Sequence, residues 1–312
     1  MNRLLQQLEQ RACRSPDSVV LEAASHSLNI SELLAQVKEV AFTLTAGDYK
    51  AVALLADNCP EWVVVDLASQ LEGVCLVPLP TFFSPRQIAH ILARAGIDLL
   101  IYQQGLESRV PEDVTASAVE FTLLSSLQAL PLAAPVEALV PQGTSKVTFT
   151  SGSTGDPKGV CLSFEQCLNV ARSLAQATGL RRPRHLCVLP LPVLLENIAG
   201  VYAPLLVDGR VITIPLQELG FAGSSGVDPA MFLQALHVHQ PDTLILVPEL
   251  LAVLDRALAM GWTAPTSLKF IAVGGSRVAA SLLARVRERG LPVYEGYGLS
   301  ECASVVSVNS PR

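Results

Sequence analysis

Short apolar runs alternate with amphipathic helical patterns along this chain of 312 residues. Patterns typical of helices include residues 31–44, with Ser31 as the expected N-cap, and residues 277–290, which Gly290 is expected to end. Because near-continuous apolar strands are buried on both faces, the alternation predicts an α/β fold of stacked, largely parallel β-sheets flanked by helices. Residues 115–143 are expected to be loosely structured. The predicted strands lie at 51–57, 74–80, 98–103, 146–151, 185–191, 210–215, 242–248 and 267–275.

Charge and hydropathy argue against two broad classes of protein. Lys and Arg number 22 against 28 Asp and Glu, and no basic run of five or more residues occurs, so no broad nucleic-acid-binding surface is expected. The mean hydropathy is +0.41, but the most apolar region, residues 186–207, contains three prolines, Glu196 and Asn197, so no membrane span is expected. The first 14 residues carry Gln, Glu and Arg where a signal peptide is apolar, which predicts an amphipathic helix and a cytoplasmic protein. The seven cysteines lack C-x-x-C pairs, which favours reduced thiols over disulfides or a zinc site.

The segment TSGSTGDPKGV at 150–160 is predicted to form an anion-binding loop after a strand. Its glycines permit close backbone approach, its hydroxyls supply donors, and Lys158 adds a charge suited to phosphate. A Walker P-loop is excluded because Pro157 and Gly159 stand where that motif requires Gly and then Ser or Thr; a solvated Gly/Ser turn is the alternative. The residues predicted to bind phosphate are Thr150, Ser151, Gly152, Ser153, Thr154, Gly155 and Lys158.

A second string, YGLSE at 297–301, follows the first. Together, TSGSTGDPKGV and YGLSE resemble, in order and spacing, the signatures of the AMP-forming adenylate superfamily, which includes acyl-CoA synthetases, luciferases and the adenylation domains of peptide synthetases. The resemblance runs from about residue 15 to the last residue and implies the fold of that superfamily's N-terminal domain. Further similar segments are NCPEWVVVDLA (58–68), GVCLVPLP (73–80), LPLPVLLENIAG (189–200), PDTLILVPELL (241–251) and VGGS (273–276).

The resemblance implies a two-step reaction that needs ATP and Mg²⁺. A carboxylate attacks the α-phosphate of ATP, pyrophosphate leaves, and in the full-length protein coenzyme A takes the acyl group from the adenylate. By this resemblance Lys158, Ser300 and Glu301 are the catalytic residues, with Glu301 as the Mg²⁺ ligand and Ser300 bonded to the α-phosphate. Tyr297 is expected to stack on adenine. The expected nucleotide-binding residues outside the loop are Gly274, Gly275, Ser276, Tyr297, Gly298 and Ser300.

The resemblance also implies an acid pocket, and the similar segments favour a medium- or long-chain fatty acid over an amino acid, because no aspartate is available there for an ammonium group. The chain departs from the family at Val193, where a histidine or aromatic residue is usual, and at Ser276 and Arg277, where Ala-Pro is common. For Glu196 and Asn197, capping of a helix start is the alternative. The expected pocket residues are Val193, Leu194, Glu196, Asn197, Gly200, Gly274 and Leu299.

The chain ends at Arg312, before the segments that carry the family's ribose-binding aspartate, hinge and C-terminal catalytic lysine. We therefore expect an incomplete N-terminal AMP-binding domain over 1–312, built from intertwined subunits at about 59–184 and at about 15–58 plus 185–312, with the small C-terminal domain missing. Alone, this chain is expected to be inactive or nearly so. A ligase that loads an acyl carrier protein is the alternative within enzymes, and an inactive nucleotide-binding or scaffold module is the alternative of another class.

Overall fold

The computed structural model describes residues 3–115, 119–133, 140–150, 157–223 and 226–310. Its strands in chain order are β1 (Val19–Glu22), β2 (Ser27–Asn29), β3 (Ala51–Leu55), β4 (Cys75–Leu79), β5 (Leu99–Gln103), β6 (Phe121–Leu124), β7 (Leu127–Pro131), β8 (Lys146–Thr150), β9 (Lys158–Leu162), β10 (Arg184–Leu186), β11 (Arg210–Ile212), β12 (Phe221–Ala222), β13 (Gly226–Val227), β14 (Thr243–Leu246), β15 (Phe270–Val273), β16 (Val293–Tyr297) and β17 (Ser307–Val308). Its α-helices are α1 (Arg3–Arg14), α2 (Ile30–Ala46), α3 (Pro60–Glu72), α4 (Pro85–Ala95), α5 (Glu112–Thr115), α6 (Phe164–Thr178), α7 (Ala203–Leu205), α8 (Pro229–His239), α9 (Pro248–Ala259) and α10 (Ala280–Glu288). Short 3₁₀ helices lie at Glu107–Arg109 and Ser300–Cys302, and a π-helical turn spans Glu196–Tyr202.

The chain divides into two units, each built on one large sheet. Unit 1 comprises Met1–Asp17 and Asn29–Cys167, and unit 2 comprises Ser18–Leu28 and Leu168–Arg312. These bounds differ from the subunits expected from the sequence. Residues 29–58 lie in unit 1 because β3 pairs with both β4 and β5 and because α2 packs on α3. Residues 168–184 lie in unit 2, where side chains of α6 line a pocket together with that unit's strands.

The described strands of unit 1 form a sheet in the order β6-β7-β5-β3-β4-β8-β9. The central pairs β3–β4, β3–β5 and β4–β8 are parallel, whereas β5–β7, β6–β7 and β8–β9 are antiparallel. Helices α3 and α4 make the crossovers that parallel neighbours require. Proline begins each helix, and each ends at a glycine with positive φ, Gly73 or Gly96. The residues of α3 from Pro60 to Gln70 are all buried, so this helix fixes the middle of the sheet.

The described strands of unit 2 form a second sheet in the order β17-β16-β15-β14-β10-β11-β1-β2. The pairs from β16 through β15, β14, β10 and β11 to β1 are parallel, and β17 is antiparallel to β16. Apolar side chains of α8, α9 and α10 pack on these strands in one core. Because β14, β15 and β16 are parallel neighbours, their carboxyl ends lie at one edge of the sheet, where ligands of open α/β sheets commonly bind.

The α/β fold predicted from the alternating pattern is confirmed, and a strand lies in each of the eight apolar runs. The expected N-cap was wrong. Asn29 caps α2 because its side chain accepts a hydrogen bond from the Glu32 N–H while the Glu32 carboxylate accepts one from the Asn29 N–H. The expectation of loose structure was also wrong for residues 121–131, which form the β6–β7 hairpin. Helix α10 ends at Glu288, two residues before Gly290.

Two general expectations can be compared with the described part of the chain. No helix there combines the length and the apolarity needed to cross a bilayer. All seven cysteines are free thiols, of which Cys13, Cys161 and Cys302 are exposed and the rest are buried.

Candidate functional site

Strands β8 and β9 hold the two ends of the predicted phosphate loop side by side. They pair without a break from Lys146 opposite Leu162 to Thr150 opposite Lys158. The Thr150 hydroxyl donates to the Lys158 carbonyl oxygen at 3.5 Å. Thr150 and Lys158, two of the residues predicted to bind phosphate, are therefore cross-strand neighbours. The others lie outside the described residues: Ser151, Gly152, Ser153, Thr154 and Gly155.

Lys158 borders a cavity of about 470 Å³ in unit 1. His90 and Arg94, one helical turn apart on α4, line the same cavity. Lys and Arg side chains are positively charged at neutral pH, so this cavity favours anions. Sequence reasoning missed Arg94 and His90 because they belong to an ordinary amphipathic helix, and only the folded sheet brings them near Lys158.

A buried ion pair fixes the strand that precedes the loop. Lys146 Nζ lies 2.8 Å from Asp66 Oδ1, and at most 2% of either side chain is exposed. The same ammonium group lies 5.9 Å from the ring centroid of Trp62. Asp66 and Trp62 belong to the buried helix α3, so the pair ties the first residue of β8 to the middle of unit 1. Removing one partner would leave an uncompensated charge in the core.

The second predicted signature forms a tight turn at the end of β16. The Ser304 N–H donates to the Leu299 carbonyl oxygen at 3.1 Å, which closes the turn. Ala303 and Ser304 adopt positive φ, 53° and 87°, at a cost on the order of 1 kcal/mol each. A Cβ built on Gly298 would overlap the Ser304 carbonyl oxygen. Glycine is therefore the residue that this turn requires at position 298.

The predicted nucleotide-binding residues of this turn differ in exposure. Tyr297 is 60% exposed, so a face of its ring is accessible for stacking. Ser300 is half-buried and begins the 3₁₀ helix Ser300–Cys302, and Glu301 follows it as an exposed side chain. An accessible carboxylate is the kind of ligand that Mg²⁺ prefers, so the donor at this position fits the ion that the resemblance implies.

Unit 2 contains an apolar pocket of about 300 Å³, near the lower end of the range for ligand sites. Its lining combines residues from both predicted sets, the nucleotide-binding set and the acid-binding set. The predicted residues that line it are Val193, Leu194, Gly274, Gly275, Tyr297, Gly298, Leu299 and Ser300. Ser276 and Glu301 lie outside this lining, on the exposed surface. The described lining contains no Lys, Arg, Asp or Glu.

The pocket runs along two parallel strands. Thr243 pairs with Phe270 at the amino ends of β14 and β15, and both residues line the pocket. Val247 and Gly274, just beyond the carboxyl ends of these strands, line it as well. Four residues of an extended strand advance about 13 Å, so the pocket has two distinct ends. The predicted nucleotide-binding residues lie at the carboxyl end.

Three of the expected pocket residues, Glu196, Asn197 and Gly200, do not line this pocket. They are buried in the π-helical turn, where Glu196 has no exposed surface, and neither Glu196 nor Asn197 is the residue that caps its start. Their placement differs from the expectation because the Glu196 carboxylate turns towards His185. A Cβ on Gly200 would lie 2.6 Å from His185 Nε2, so glycine makes room for this contact.

The Glu196 carboxylate is the centre of a buried polar network. His185 Nε2 lies 2.7 Å from Glu196 Oε1, and the Leu189 N–H donates to Oε2 at 3.2 Å. His185 Nδ1 in turn lies 2.9 Å from Thr243 Oγ1. Burial raises the pKa of the Cys187 thiol well above its usual range, and the charge and hydrogen bond of Glu196 raise it further.

His185, Cys187 and Glu196 have the side chains of a metal site, with ligand atoms within 4.8 Å of one another. A zinc ion with ligand bonds of about 2.0 to 2.3 Å would have to sit between these atoms. Two ligands of a tetrahedral ion with such bonds lie about 3.3 Å apart. The contact between His185 and Glu196 is shorter, at 2.7 Å, so these two side chains are placed as hydrogen-bond partners.

Sequence reasoning missed His185 and Thr243, which both line the pocket. Each is a polar residue at the start of an apolar strand, and the two face each other in the register of β10 and β14. A polar residue at the same place in two neighbouring apolar runs is a signal that could have identified them.

Comparisons with known proteins bear on this site. A model of a family described as "AMP-binding enzyme" matches residues 8–312. The chain is 27% identical over 311 residues to 2-succinylbenzoate–CoA ligase of Bacillus licheniformis, covering 98% of this chain and 62% of that protein. It is 28% identical over 308 residues to feruloyl-CoA synthase of an Amycolatopsis species, covering 96% of this chain and 59% of that protein. Its structure is similar to that of O-succinylbenzoate coenzyme A synthetase from Bacillus subtilis in complex with AMP, with a TM-score of 0.77, 26% identity, and coverage of 98% of this chain and 76% of that one. The chain thus spans about three fifths of the length of these curated relatives.

Proposed function

The chain belongs to the AMP-binding enzyme family, and from this membership we propose that it forms the nucleotide- and acid-binding part of a ligase that activates a carboxylic acid with ATP. One observation carries the proposal. A single pocket in unit 2 is lined by residues expected to bind nucleotide and by an apolar wall suited to the body of an acid. The ends of β15 and β16, where Gly274, Gly275 and Gly298 lie, are the natural position for the nucleotide because parallel strands commonly bind ligands beyond their carboxyl ends.

Each nucleotide-binding residue has a role that its chemistry supports. Tyr297 offers an accessible ring on which adenine can stack, and Gly274 and Gly275 leave room for the edge of the base because they lack side chains. The Ser300 hydroxyl can donate to an oxygen of the α-phosphate. Lys158 carries a positive charge on a flexible stem and is assigned to the β- and γ-phosphates.

Glu301 is proposed as the ligand of Mg²⁺. Its carboxylate is exposed directly after Ser300, and carboxylate oxygens suit this hard cation. When bound, the ion would supply neutralisation of charge on the phosphates. Lys158 and backbone N–H groups are the other positive groups that this chain's signatures provide for a highly charged anion.

The proposed chemistry is an in-line displacement. A carboxylate oxygen of the acid forms a bond to the α-phosphorus while the bond to pyrophosphate breaks, which leaves an acyl-adenylate. This chain's residues contribute by holding two anions in contact and by stabilising the charge that develops. Transfer of the acyl group to coenzyme A is proposed for a protein of the relatives' length. A carrier protein is the alternative acceptor, and an inactive nucleotide-binding module is the alternative of another class.

The acid is proposed to have a long apolar body, and a medium- or long-chain fatty acid meets this description. Two observations support it: the described pocket wall has no charged side chain of Lys, Arg, Asp or Glu, and it extends about 13 Å along β14. The names of two relatives, 2-succinylbenzoate–CoA ligase and feruloyl-CoA synthase, favour an aryl acid as a second candidate.

Binding of stable acyl-adenylate analogues tests the proposal on the purified chain. Acyl-sulfamoyl-adenosines with alkyl, aryl and aminoacyl groups are titrated by calorimetry, with sulfamoyl-adenosine as the control that lacks an acyl group. We expect the alkyl series, or the aryl series for the second candidate, to bind at least tenfold more tightly than the control. Equal binding of all analogues and the control would favour the nucleotide-binding module, and preference for aminoacyl analogues would overturn the assignment of the acid. Acid-dependent exchange of pyrophosphate into ATP then tests catalysis in a protein of the relatives' length.

A further inference from the structure

The apolar pocket of unit 2 ends in a polar group that a plain alkyl chain does not require. Thr243 and His185 both line the pocket, and their side chains are joined by the 2.9 Å contact between Oγ1 and Nδ1. Both residues are more than nine tenths buried. Burying polar side chains in an apolar wall is unfavourable unless their hydrogen bonds are made, so the polar end has a cost that a wholly apolar pocket avoids.

This polar group lies at the end of the pocket opposite the predicted nucleotide. Thr243 is the first residue of β14 and pairs with Phe270, the first residue of β15. Gly274 and Gly275, expected at the adenine edge, follow the last residue of β15. An acid whose carboxylate lies at the carboxyl end would therefore direct its far end towards Thr243, about 13 Å along the strands.

The contact with His185 determines which hydrogen bonds the Thr243 hydroxyl can still make with a ligand. His185 Nδ1 either accepts from or donates to Thr243 Oγ1, depending on whether that ring nitrogen carries a proton. Where Nδ1 accepts, it takes the Thr243 proton and a lone pair of Oγ1 remains. Where Nδ1 donates, the Thr243 proton is available. In either state the Thr243 hydroxyl keeps one hydrogen-bonding position that His185 does not use.

We propose that the acid bound in this pocket carries a hydroxyl group at the end remote from its carboxylate, and that Thr243 Oγ1, oriented by His185 and Glu196, recognises it. A hydroxyl can both donate and accept, so it pairs with Thr243 in either state of His185. Glu196 and His185 are positioning residues in this arrangement, and Gly200 permits their contact because it has no side chain. The inference rests on the proposed function and adds the chemical class of the acid.

Matched pairs of acyl-sulfamoyl-adenosines test it by calorimetry on the purified chain. In each alkyl pair, one analogue carries an alkyl group of eight to sixteen carbons and the other carries the same group with a terminal hydroxyl. One aryl pair compares the cinnamoyl analogue with the 4-hydroxycinnamoyl analogue. A net hydrogen bond changes affinity by about 3- to 10-fold, so at one length or in the aryl pair we expect the hydroxylated member to bind more tightly by that factor. Thr243→Val, of nearly the same shape, should bring the ratio of the two affinities within each pair to about one.

Two further variants keep the test informative. Thr243→Ser keeps the hydroxyl and should keep the preference for the hydroxylated analogue. The test therefore still gives a result if the Thr243→Val chain fails to fold. Thr263→Val, at an exposed position outside the pocket, should bind every analogue as the unmodified chain does. Tight binding of the acyl analogues without any preference for the hydroxyl, or a preference that survives in Thr243→Val, would overturn this inference alone. Failure of every acyl analogue to bind better than sulfamoyl-adenosine would overturn the proposed function and this inference with it.

Discussion

A side chain at position 298 and the carbonyl oxygen of Ser304 compete for the same space, because a Cβ built on Gly298 would overlap that oxygen. The obstacle is backbone, and the backbone at Ala303 and Ser304 already has positive φ. Gly298→Ala must therefore open the turn. We expect it to lower the free energy of unfolding by about 2 kcal/mol, as overpacked sites do, and to weaken binding of acyl-adenylate analogues at least tenfold. Urea denaturation and calorimetry measure the two effects.

Gly296→Ala is the matched control for this change. Gly296 lines the same pocket, but its added Cβ would lie 3.6 Å from the Ser307 carbonyl oxygen, an ordinary contact. We expect this variant to stay within about 1 kcal/mol of the unmodified chain, in the range of Gly-to-Ala changes in regular structure. Equal stability of Gly298→Ala and the unmodified chain would show that the turn is not closed as described.

Lys146→Met should destabilise the chain more than any change to an exposed ion pair. The substitution leaves Asp66 charged and buried, which costs about 3 to 5 kcal/mol of the free energy of unfolding. Lys50→Met is the control, because Lys50 and Asp48 form an exposed pair worth about 1 kcal/mol or less. Denaturation in urea compares them. If the two variants lose the same free energy, the buried pair does not hold β8 to α3.

Glu301→Gln should separate folding from Mg²⁺-dependent chemistry. The side chain is exposed, so the variant should unfold at the same urea concentration as the unmodified protein. In a protein of the relatives' length, we expect acid-dependent pyrophosphate exchange to fall about 10²-fold, the scale of a lost electrostatic group. Lys158→Ala should have a smaller effect. Glu288→Gln, at the exposed end of α10, is the control and should exchange pyrophosphate normally. Normal exchange by Glu301→Gln would reject its role as the metal ligand.

Ala272→Leu should shorten the pocket. Ala272 lines it on β15, between Phe270 at one end and Gly274 at the other. In the unmodified chain each buried CH₂ should add about 0.8 kcal/mol, or about fourfold in affinity, until the pocket is full. The variant should reach its plateau with analogues shorter by at least two carbons. Ala284→Leu, on the exposed side of α10, should leave the length dependence unchanged. An identical plateau in Ala272→Leu would mean that acids bind elsewhere.

Because some thiols are buried, we expect the free energy of unfolding of the chain to fall at alkaline pH. Burial raises the pKa of Cys75 to about 12 and that of Cys167 to about 11, from an ordinary value of 9.0. Above pH 9 the unfolded chain therefore releases protons that the folded chain keeps, so the free energy of unfolding falls as pH rises. Each thiol contributes a slope of about 1.4 kcal/mol per pH unit in this window.

The combined variant Cys75→Ala and Cys167→Ala should show a shallower decline in stability above pH 9. Cys13→Ala, at an exposed position, should keep the slope of the unmodified chain. Urea denaturation at pH values below and above 9 gives these slopes. A decline that is as steep in the combined variant would assign the alkaline sensitivity to other groups.

The sequence predicted the strands and helices of this fold better than it predicted how they divide into two units. Apolar runs and helical spacing depend on local periodicity, and each run contains a strand. The sequence did not predict that residues 29–58 belong to unit 1. Their place in that unit depends on β3 lying between β4 and β5, a long-range pairing that no local pattern encodes. The capping of α2 by Asn29 was within reach, since Glu32 stands three residues later as a capping box requires.

The sequence predicted those parts of the site that are formed by residues adjacent in the chain. The four consecutive residues Tyr297, Gly298, Leu299 and Ser300 line the pocket together because they belong to one turn. Glu196 shows the opposite case. Leu194 and Leu195, which precede it, line the pocket, but its carboxylate contacts His185, which lies on β10. Spacing along the chain cannot reveal such a partner, because the contact depends on how the π-helical turn packs against β10.

The path of the chain between the two units has a consequence for how such a protein can be altered. The chain passes from unit 1 to unit 2 at Ser18, returns at Asn29 and passes over again after Cys167. Residues 18–28 supply β1, which pairs with β11 of the second sheet. No single cut in the polypeptide separates the two units, because residues 18–28 of unit 2 stand between two segments of unit 1. Exchanging one whole unit between two related genes would therefore require crossovers at all three of these passages.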